Sequence, residues 1–156
     1  MKRLAVLLLL TACSSGSTAP PVGGVSKADY VKQAEAVCAV ANKDQNALVT
    51  PTSVDGLAPY VSRIVAIAEK ATTELKAIEA PKADQADLQE KVLGPLSAQL
   101  VVGQAYADKV AAAAKTKDNA ALVQLLTNAP TQTKADLRWM KGYGFKECVE
   151  AADTSG

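Results

Sequence analysis

The chemistry open to this chain depends on three cysteines and on the complete absence of histidine. A cysteine thiol can be acylated, oxidised to a disulfide or used as a nucleophile. Histidine is the commonest general base and transition-metal ligand, and it activates the nucleophile in Ser-His and Cys-His sites. The chain also lacks a glycine-rich phosphate loop and a serine-nucleophile motif. We therefore expect a protein that is not an enzyme and that carries no cofactor and no metal.

The first cysteine lies at the end of a short N-terminal apolar segment. Two basic residues and a seven-residue apolar run precede it. Such a run is far shorter than the roughly 20 residues of a membrane span, so it predicts a signal peptide. The tetrapeptide Leu10-Thr11-Ala12-Cys13 resembles the lipobox of bacterial lipoproteins. The resemblance implies cleavage after Ala12 and a diacylglyceryl thioether on Cys13.

That lipid would hold the chain on the extracytoplasmic face of the cell membrane. A Gram-negative host would allow the outer membrane instead. The alternative is an ordinary secretory signal with a coincidental cysteine.

The other two cysteines, Cys38 and Cys148, remain as an even pair once Cys13 is assigned to lipid. In an exported protein, an even pair favours a disulfide. Closing a loop of this length would stabilise the fold by about 4–5 kcal/mol in the chain-entropy model. A redox-active pair and two free thiols are the alternatives. The absence of a C-x-x-C motif argues against the first, and export argues against the second.

Three carboxylates, Asp84, Asp87 and Glu90, recur at a spacing of three and fall on one helix face. A weak Ca²⁺ or Mg²⁺ site is one interpretation, but Ca²⁺ usually requires six or more oxygen ligands, and no EF-hand loop is present. Carboxylates near the start of a helix also complement its dipole. We interpret these residues as the solvated start of a helix and predict no metal site.

A basic and aromatic cluster near the C-terminus is the candidate partner-binding surface. Its members are Lys134, Arg138, Trp139, Lys141, Tyr143 and Phe145. Such a face could meet anionic phospholipid headgroups, an anionic envelope polymer or an envelope protein. The alternative is structural, because basic residues favour a helix C-terminus and aromatic residues often close one end of a small bundle. After signal removal the chain has fifteen basic and sixteen acidic residues, which argues against a nucleic-acid partner.

Apolar residues at spacings of three and four predict four helices and no strand. Helix one begins at the N-cap Ser26 and ends near Asn46. Helix two begins within residues 55–59 and ends at Ala80-Pro81, since the residue before a proline avoids helical angles.

The third predicted helix spans roughly residues 82–114 and is interrupted at Gly94-Pro95. The carbonyls that lose their helical partners there could line a cleft between helices. The alternative is a simple packing kink. The fourth begins after the N-cap Asp118, bends at Pro130 and stops at glycines 142 and 144. Its predicted buried stripe includes Leu122, Leu125 and Leu126.

Short connections between four amphipathic helices predict an all-α fold: an antiparallel up-down four-helix bundle with kinked third and fourth helices and one disulfide. The predicted organisation is a signal peptide at 1–12 and a lipidated cysteine with a disordered tether at 13–27. The helical domain follows at 28–150, with a disordered tail at 151–156.

The chain as a whole is similar to small Ala-rich helical lipoproteins of high-GC Gram-positive bacteria. The similarity rests on the lipobox, on Tyr30 and Cys38 in the first helix, and on the late run Gly144-Phe145-Lys146-Glu147-Cys148. It implies a helical extracytoplasmic domain and transfers no active site.

We therefore expect a non-catalytic, lipid-anchored protein that binds an envelope partner. The alternative is a carrier of a small molecule or lipid, with a cavity between helices two and three.

Overall fold

The computed structural model describes residues 24–130 and 135–153, and every regular element within these ranges is helical. In chain order the helices are α1 (Lys27–Asn46), α2 (Leu57–Ala77), α3 (Gln85–Leu88), α4 (Gly94–Lys115), α5 (Asn119–Thr127), α6 (Leu137–Tyr143) and α7 (Glu147–Asp153). A 3₁₀ turn, Val54–Gly56, precedes α2, and a π-helical turn, Gln89–Leu93, joins α3 to α4. The predicted all-α class is confirmed for the described residues. None of these helices combines the length and the apolarity that crossing a bilayer requires. The predicted signal peptide and Cys13 lie outside the described ranges.

Two helices begin at the N-caps that the sequence predicts. The side-chain oxygen of Ser26 accepts the backbone N–H of Asp29 at 3.2 Å, and α1 starts at the next residue. The carboxylate of Asp118 accepts the backbone N–H of Ala121 at 2.9 Å and starts α5. Each cap satisfies one of the backbone donors that the first turn of a helix leaves unpaired.

The π-helical turn stands directly before Gly94-Pro95. The N–H of Gly94 bonds to the carbonyl of Gln89, five residues earlier. Pro95 has no N–H, so the carbonyl of Lys91 loses its helical partner. The backbone N–H of Asp136 donates to that carbonyl at 3.3 Å. The carbonyl that the proline frees is therefore hydrogen-bonded to the residue just before α6.

The stretch predicted as helix four holds two short helices, α5 and α6. α5 ends at Thr127, three residues before Pro130, because the residue before a proline is sterically excluded from helical angles. α6 begins after Asp136, whose carboxylate accepts the N–H of Trp139 at 2.9 Å.

The prediction that Leu126 is buried is wrong. It is 48% exposed, whereas Leu122 is 2% exposed. Residue Leu122 packs against Val110 of α4, with Leu125 at the edge of this contact. The opposite side of α5, which carries Leu126, therefore faces solvent.

The turn between α6 and α7 depends on Gly144, whose φ of 117° lies in the left-handed region. The backbone N–H groups of Gly144 and Phe145 both return to the carbonyl of Met140, at 3.1 and 3.0 Å. This is the usual way for a glycine to close a helix C-terminus. α7 then continues to Asp153, three residues into the segment that the sequence assigns to a disordered tail.

The core is divided into two clusters. The larger one joins α1, α2, α6 and α7 with the α3 region, and its buried members are Tyr30, Ala34, Cys38, Leu75, Leu88, Val92, Ala135, Met140, Tyr143, Phe145, Cys148 and Val149. The smaller cluster lies where the start of α2 meets the end of α4 and α5. Between them, α2 packs along α4, and α1 packs against α2 and α7.

Candidate functional site

Cys38 of α1 and Cys148 of α7 form a disulfide with an S–S distance of 2.04 Å and a Cα–Cα distance of 4.9 Å. The predicted pairing is confirmed. Both residues are buried in the larger core cluster. The bond therefore ties the last helix to the middle of the first, across a separation of 110 residues.

The carboxylate of Glu35, one turn before Cys38, caps the start of α7. It accepts the backbone N–H groups of Lys146 at 3.0 Å, Glu147 at 2.9 Å and Cys148 at 3.3 Å. These are donors that the first turn of a helix leaves unpaired, and a negative charge there also complements the helix dipole. No local pattern in the sequence signals the role of Glu35, because the residues that it caps lie 111 to 113 positions away.

The predicted aromatic residues Tyr143 and Phe145 lie in the core beside this disulfide. They are 8% and 2% exposed, with ring centroids 5.2 Å apart. Tyr30 of α1 meets both edge-on, at 6.4 Å from Tyr143 and 6.2 Å from Phe145. Such edge-to-face pairs add to the stabilisation from burial alone. Their side chains thus close one end of the fold, which is the structural role that the sequence left open.

Tyr143 also makes the hydrogen bond that ties α6 to the loop before α3. Its hydroxyl donates to Asp84 Oδ2 at 2.6 Å. Burial, and next this bond to a carboxylate, raise the pKa of Tyr143 above its ordinary value. The phenol therefore stays protonated as a donor at neutral pH and is a poor candidate for a general base.

Trp139 lies at the boundary between core and solvent. Its half-buried ring stacks on Tyr143 with centroids 4.7 Å apart, and Lys91 Nζ lies 5.2 Å from its centroid. On Tyr143, Lys27 Nζ of α1 lies 4.2 Å from the ring centroid. The two rings and two ammonium groups form one connected cation–π arrangement that joins the start of α1 to α6.

The solvent side of α6 carries the remaining predicted contact residues. Arg138 and Lys141 are exposed, and neither forms an ion pair with any residue that the structure describes. Lys134, the third predicted basic residue, lies outside the described residues. We call Arg138, Trp139 and Lys141 the α6 face.

The acidic series of the α3 region forms contacts of its own. Asp87 forms an i,i+4 ion pair with Lys91 at 2.7 Å, while Asp84 accepts the hydrogen bond from the hydroxyl of Tyr143. Within residues 24–130 and 135–153, no group of three or more potential metal ligands is close enough to hold an ion.

A shallow groove lies between α1 and α2. Its cavity volume is about 10 Å³, little more than the space for one water molecule. The groove is lined by the apolar residues Val37, Val40, Ala41, Ile67 and Ala71 and by the charged residues Asp44, Lys70 and Glu74. This groove does not lie where the sequence predicts a carrier cavity, which is between the second and third predicted helices. There, a Cβ atom on Gly103 of α4 would lie 3.7 Å from Val65 of α2, at ordinary packing distance.

Comparison with protein families, with curated proteins and with solved structures gives no match for this chain.

Proposed function

We propose that this chain is a lipoprotein anchored through Cys13 on the extracytoplasmic face of the cell membrane, where it binds an envelope partner without catalysing a reaction. The buried Cys38–Cys148 disulfide is the observation that supports this best, because such bonds persist in exported proteins and are rare in the cytosol. The lipobox resemblance supplies the anchor, and the wider similarity to small helical lipoproteins agrees with it.

Three features support a non-catalytic role. The chain has no histidine, and two of its three cysteines are joined to each other. The raised pKa of Tyr143 keeps its hydroxyl as a hydrogen-bond donor to Asp84. None of these groups is poised to exchange a proton with a substrate near neutral pH.

We also propose that the helices follow an up-down-up-down course, with α3 to α4 as a bent third helix and α5 to α7 together in place of the fourth. In support, each successive pair of long helices is in contact, α4 packs on α5, and α7 closes back onto α1. A crystal structure of the full chain would test this arrangement.

The α6 face is the proposed contact surface. Its support is the pair of exposed cations, Arg138 and Lys141, on a helix whose other side is fixed in the core through Tyr143 and Met140. A helix that presents two exposed cations, neither of them ion-paired within the described residues, is suited to an anionic partner.

The test is capture of partners after cross-linking in intact cells, with wild type compared with Arg138→Glu/Lys141→Glu. The matched control is Arg63→Glu/Lys115→Glu, which makes the same charge change at two exposed residues of α2 and α4. Loss of the captured partner in the first variant only is the expected result. Equal capture by both variants would exclude the α6 face as the contact.

The alternative function is a carrier of a small molecule or lipid, and the apolar walls of the α1–α2 groove favour it. The cavity volume of this groove is only about 10 Å³, far below the roughly 300–1,000 Å³ of ordinary ligand pockets, so this function ranks second. Native mass spectrometry of the protein from its own membrane tests it: a bound small-molecule mass that disappears in Ala71→Trp would establish the carrier.

A further inference from the structure

We propose that the partner of the α6 face is the anionic phospholipid surface of the membrane that carries the anchor. This inference rests on the proposed anchoring at Cys13 and names the chemistry that α6 meets. Three observations carry it: where the described chain begins, how far the preceding residues reach, and what α6 exposes.

The described chain begins beside α6. Val25 and Trp139 pack on the same core cluster. Two residues after Val25, Lys27 Nζ lies over the ring of Tyr143, which in turn stacks on Trp139. The end of the molecule at which the N-terminal segment joins is therefore the end that carries α6.

The segment between Cys13 and Gly24 is short. Ten residues lie between the two, and the eleven Cα–Cα steps from Cys13 to Gly24 reach at most about 40 Å when fully extended. The far end of α1, after twenty residues of helix, lies about 30 Å further on. The α6 end therefore lies nearer to the attachment point of a lipid on Cys13 than the far end of α1 does.

The groups exposed at this end suit a phospholipid interface. Arg138 and Lys141 have no ion-pair partner among the described residues, and each basic side chain near an anionic bilayer raises affinity roughly fivefold. Trp139 is half-buried, and tryptophan favours the headgroup region of a membrane. Three carboxylates nearby have partners on the protein: Asp87 pairs with Lys91, Asp84 accepts the hydroxyl of Tyr143, and Asp136 accepts the backbone N–H of Trp139.

The experiment uses Trp139, the one tryptophan in the chain, as the probe. The full-length protein is purified from its own membrane and reconstituted into vesicles whose headgroups carry a nitroxide quencher. Quenching of Trp139 fluorescence is compared in phosphatidylcholine–phosphatidylglycerol vesicles and in pure phosphatidylcholine vesicles. We expect at least twofold stronger quenching in the anionic vesicles, abolished by Arg138→Glu/Lys141→Glu and retained in Arg63→Glu/Lys115→Glu.

The proposal would be overturned if Trp139 were quenched equally in the two lipid mixtures. Equal quenching of Trp139 in the two charge-reversal variants would also overturn it. Weak quenching in every vesicle, combined with cross-linking of α6 to an envelope protein, would overturn it in favour of a protein partner. The mass of Cys13 in the same sample is a separate readout. An unacylated Cys13 removes the proposed anchor, whereas an acylated Cys13 with an unquenched Trp139 removes the membrane contact alone.

Discussion

The carboxylate of Glu35 in α1 accepts the backbone N–H of Glu147, the first residue of α7, at 2.9 Å. One turn later in α1, Cys38 is bonded to Cys148. A charged cap and a covalent bond thus fix the last helix to the first within two turns of α1.

Removing the cap should weaken this attachment. Glu35→Gln keeps the size of the side chain but replaces one of the two accepting oxygens with an amide NH₂ group. Because this group is a donor, it cannot accept a hydrogen bond from the backbone N–H groups that face it. We expect a loss of about 1 to 2 kcal/mol in the free energy of unfolding, measured in denaturant with the disulfide intact. Glu69→Gln, on the exposed side of α2, is the control and should change stability little. Equal losses in the two variants would exclude the capping role.

Breaking the disulfide should have a larger effect. It closes a loop of 110 residues, so reduction should lower the free energy of unfolding by about 4–5 kcal/mol in the chain-entropy model. The measurement is the denaturation midpoint with and without reductant. Cys38→Ala/Cys148→Ala is the control, and its midpoint should not respond to reductant. A wild-type midpoint that is unchanged on reduction would show that the bond contributes nothing.

The hydroxyl of Tyr143 should make stability fall at alkaline pH. Its pKa in the folded state lies above the unfolded value of about 10, so the folded state holds the phenol proton more tightly. That stabilisation is complete below about pH 10 and is lost as the pH rises toward the folded pKa. In Tyr143→Phe, stability near neutral pH should fall by about 1 kcal/mol, because the bond to Asp84 is gone.

The decline above pH 10 should also be shallower in Tyr143→Phe, although burial likewise raises the pKa of Tyr30 and Tyr106. Unfolding free energies across an alkaline pH series measure both effects. Parallel pH profiles for wild type and variant would contradict the assignment to Tyr143.

The sequence predicts features that depend on local chemistry. Ser26 and Asp118 start helices because their side chains accept N–H groups three residues ahead, and this spacing is visible in the chain. The disulfide follows from cysteine parity once Cys13 is assigned to lipid and the chain is predicted to be exported. In contrast, two other contacts join distant segments: the cap from Glu35 to α7, and the hydrogen bond from Asp136 to the Lys91 carbonyl. No sequence pattern in these segments predicts either contact.

The sequence does not show which residues of the candidate surface are buried and which are exposed, for a similar reason. Helical spacing groups Trp139, Tyr143 and Phe145 with the basic residues but does not say which aromatic rings face the core. Gly144 reverses the chain after α6 and carries Phe145 back against Tyr30, so Phe145 is buried while Arg138 stays exposed.

The π-helical turn should be sensitive to a methyl group at Gly94. A Cβ atom there would lie 2.8 Å from the carbonyl oxygen of Gln89, a backbone atom that cannot move away cheaply. We expect Gly94→Ala to lose about 1–3 kcal/mol by thermal or denaturant unfolding. Gly142→Ala is the matched control, because nothing lies within 4 Å of its Cβ position in α6. That variant should gain stability slightly through helix propensity. A neutral Gly94→Ala would contradict the tight turn.

The two sides of α5 should respond differently to truncation. Leu122 is 2% exposed and packs against α4, so Leu122→Ala should cost about 2–5 kcal/mol. Leu126 is 48% exposed, and Leu126→Ala should cost well under half of that amount. Denaturant unfolding of both variants measures the contrast. Equal losses would show that α5 is rotated about its axis relative to the structure.

We propose a helical domain that is closed by a disulfide and held on the membrane by lipid at Cys13. The intact mass of the chain extracted from its own membrane tests this most directly. The predicted mass is that of a chain beginning at Cys13, increased by a diacylglyceryl group and reduced by two hydrogens for the Cys38–Cys148 bond. A mass that retains residues 1–12, or that carries no acyl group on Cys13, would contradict the account.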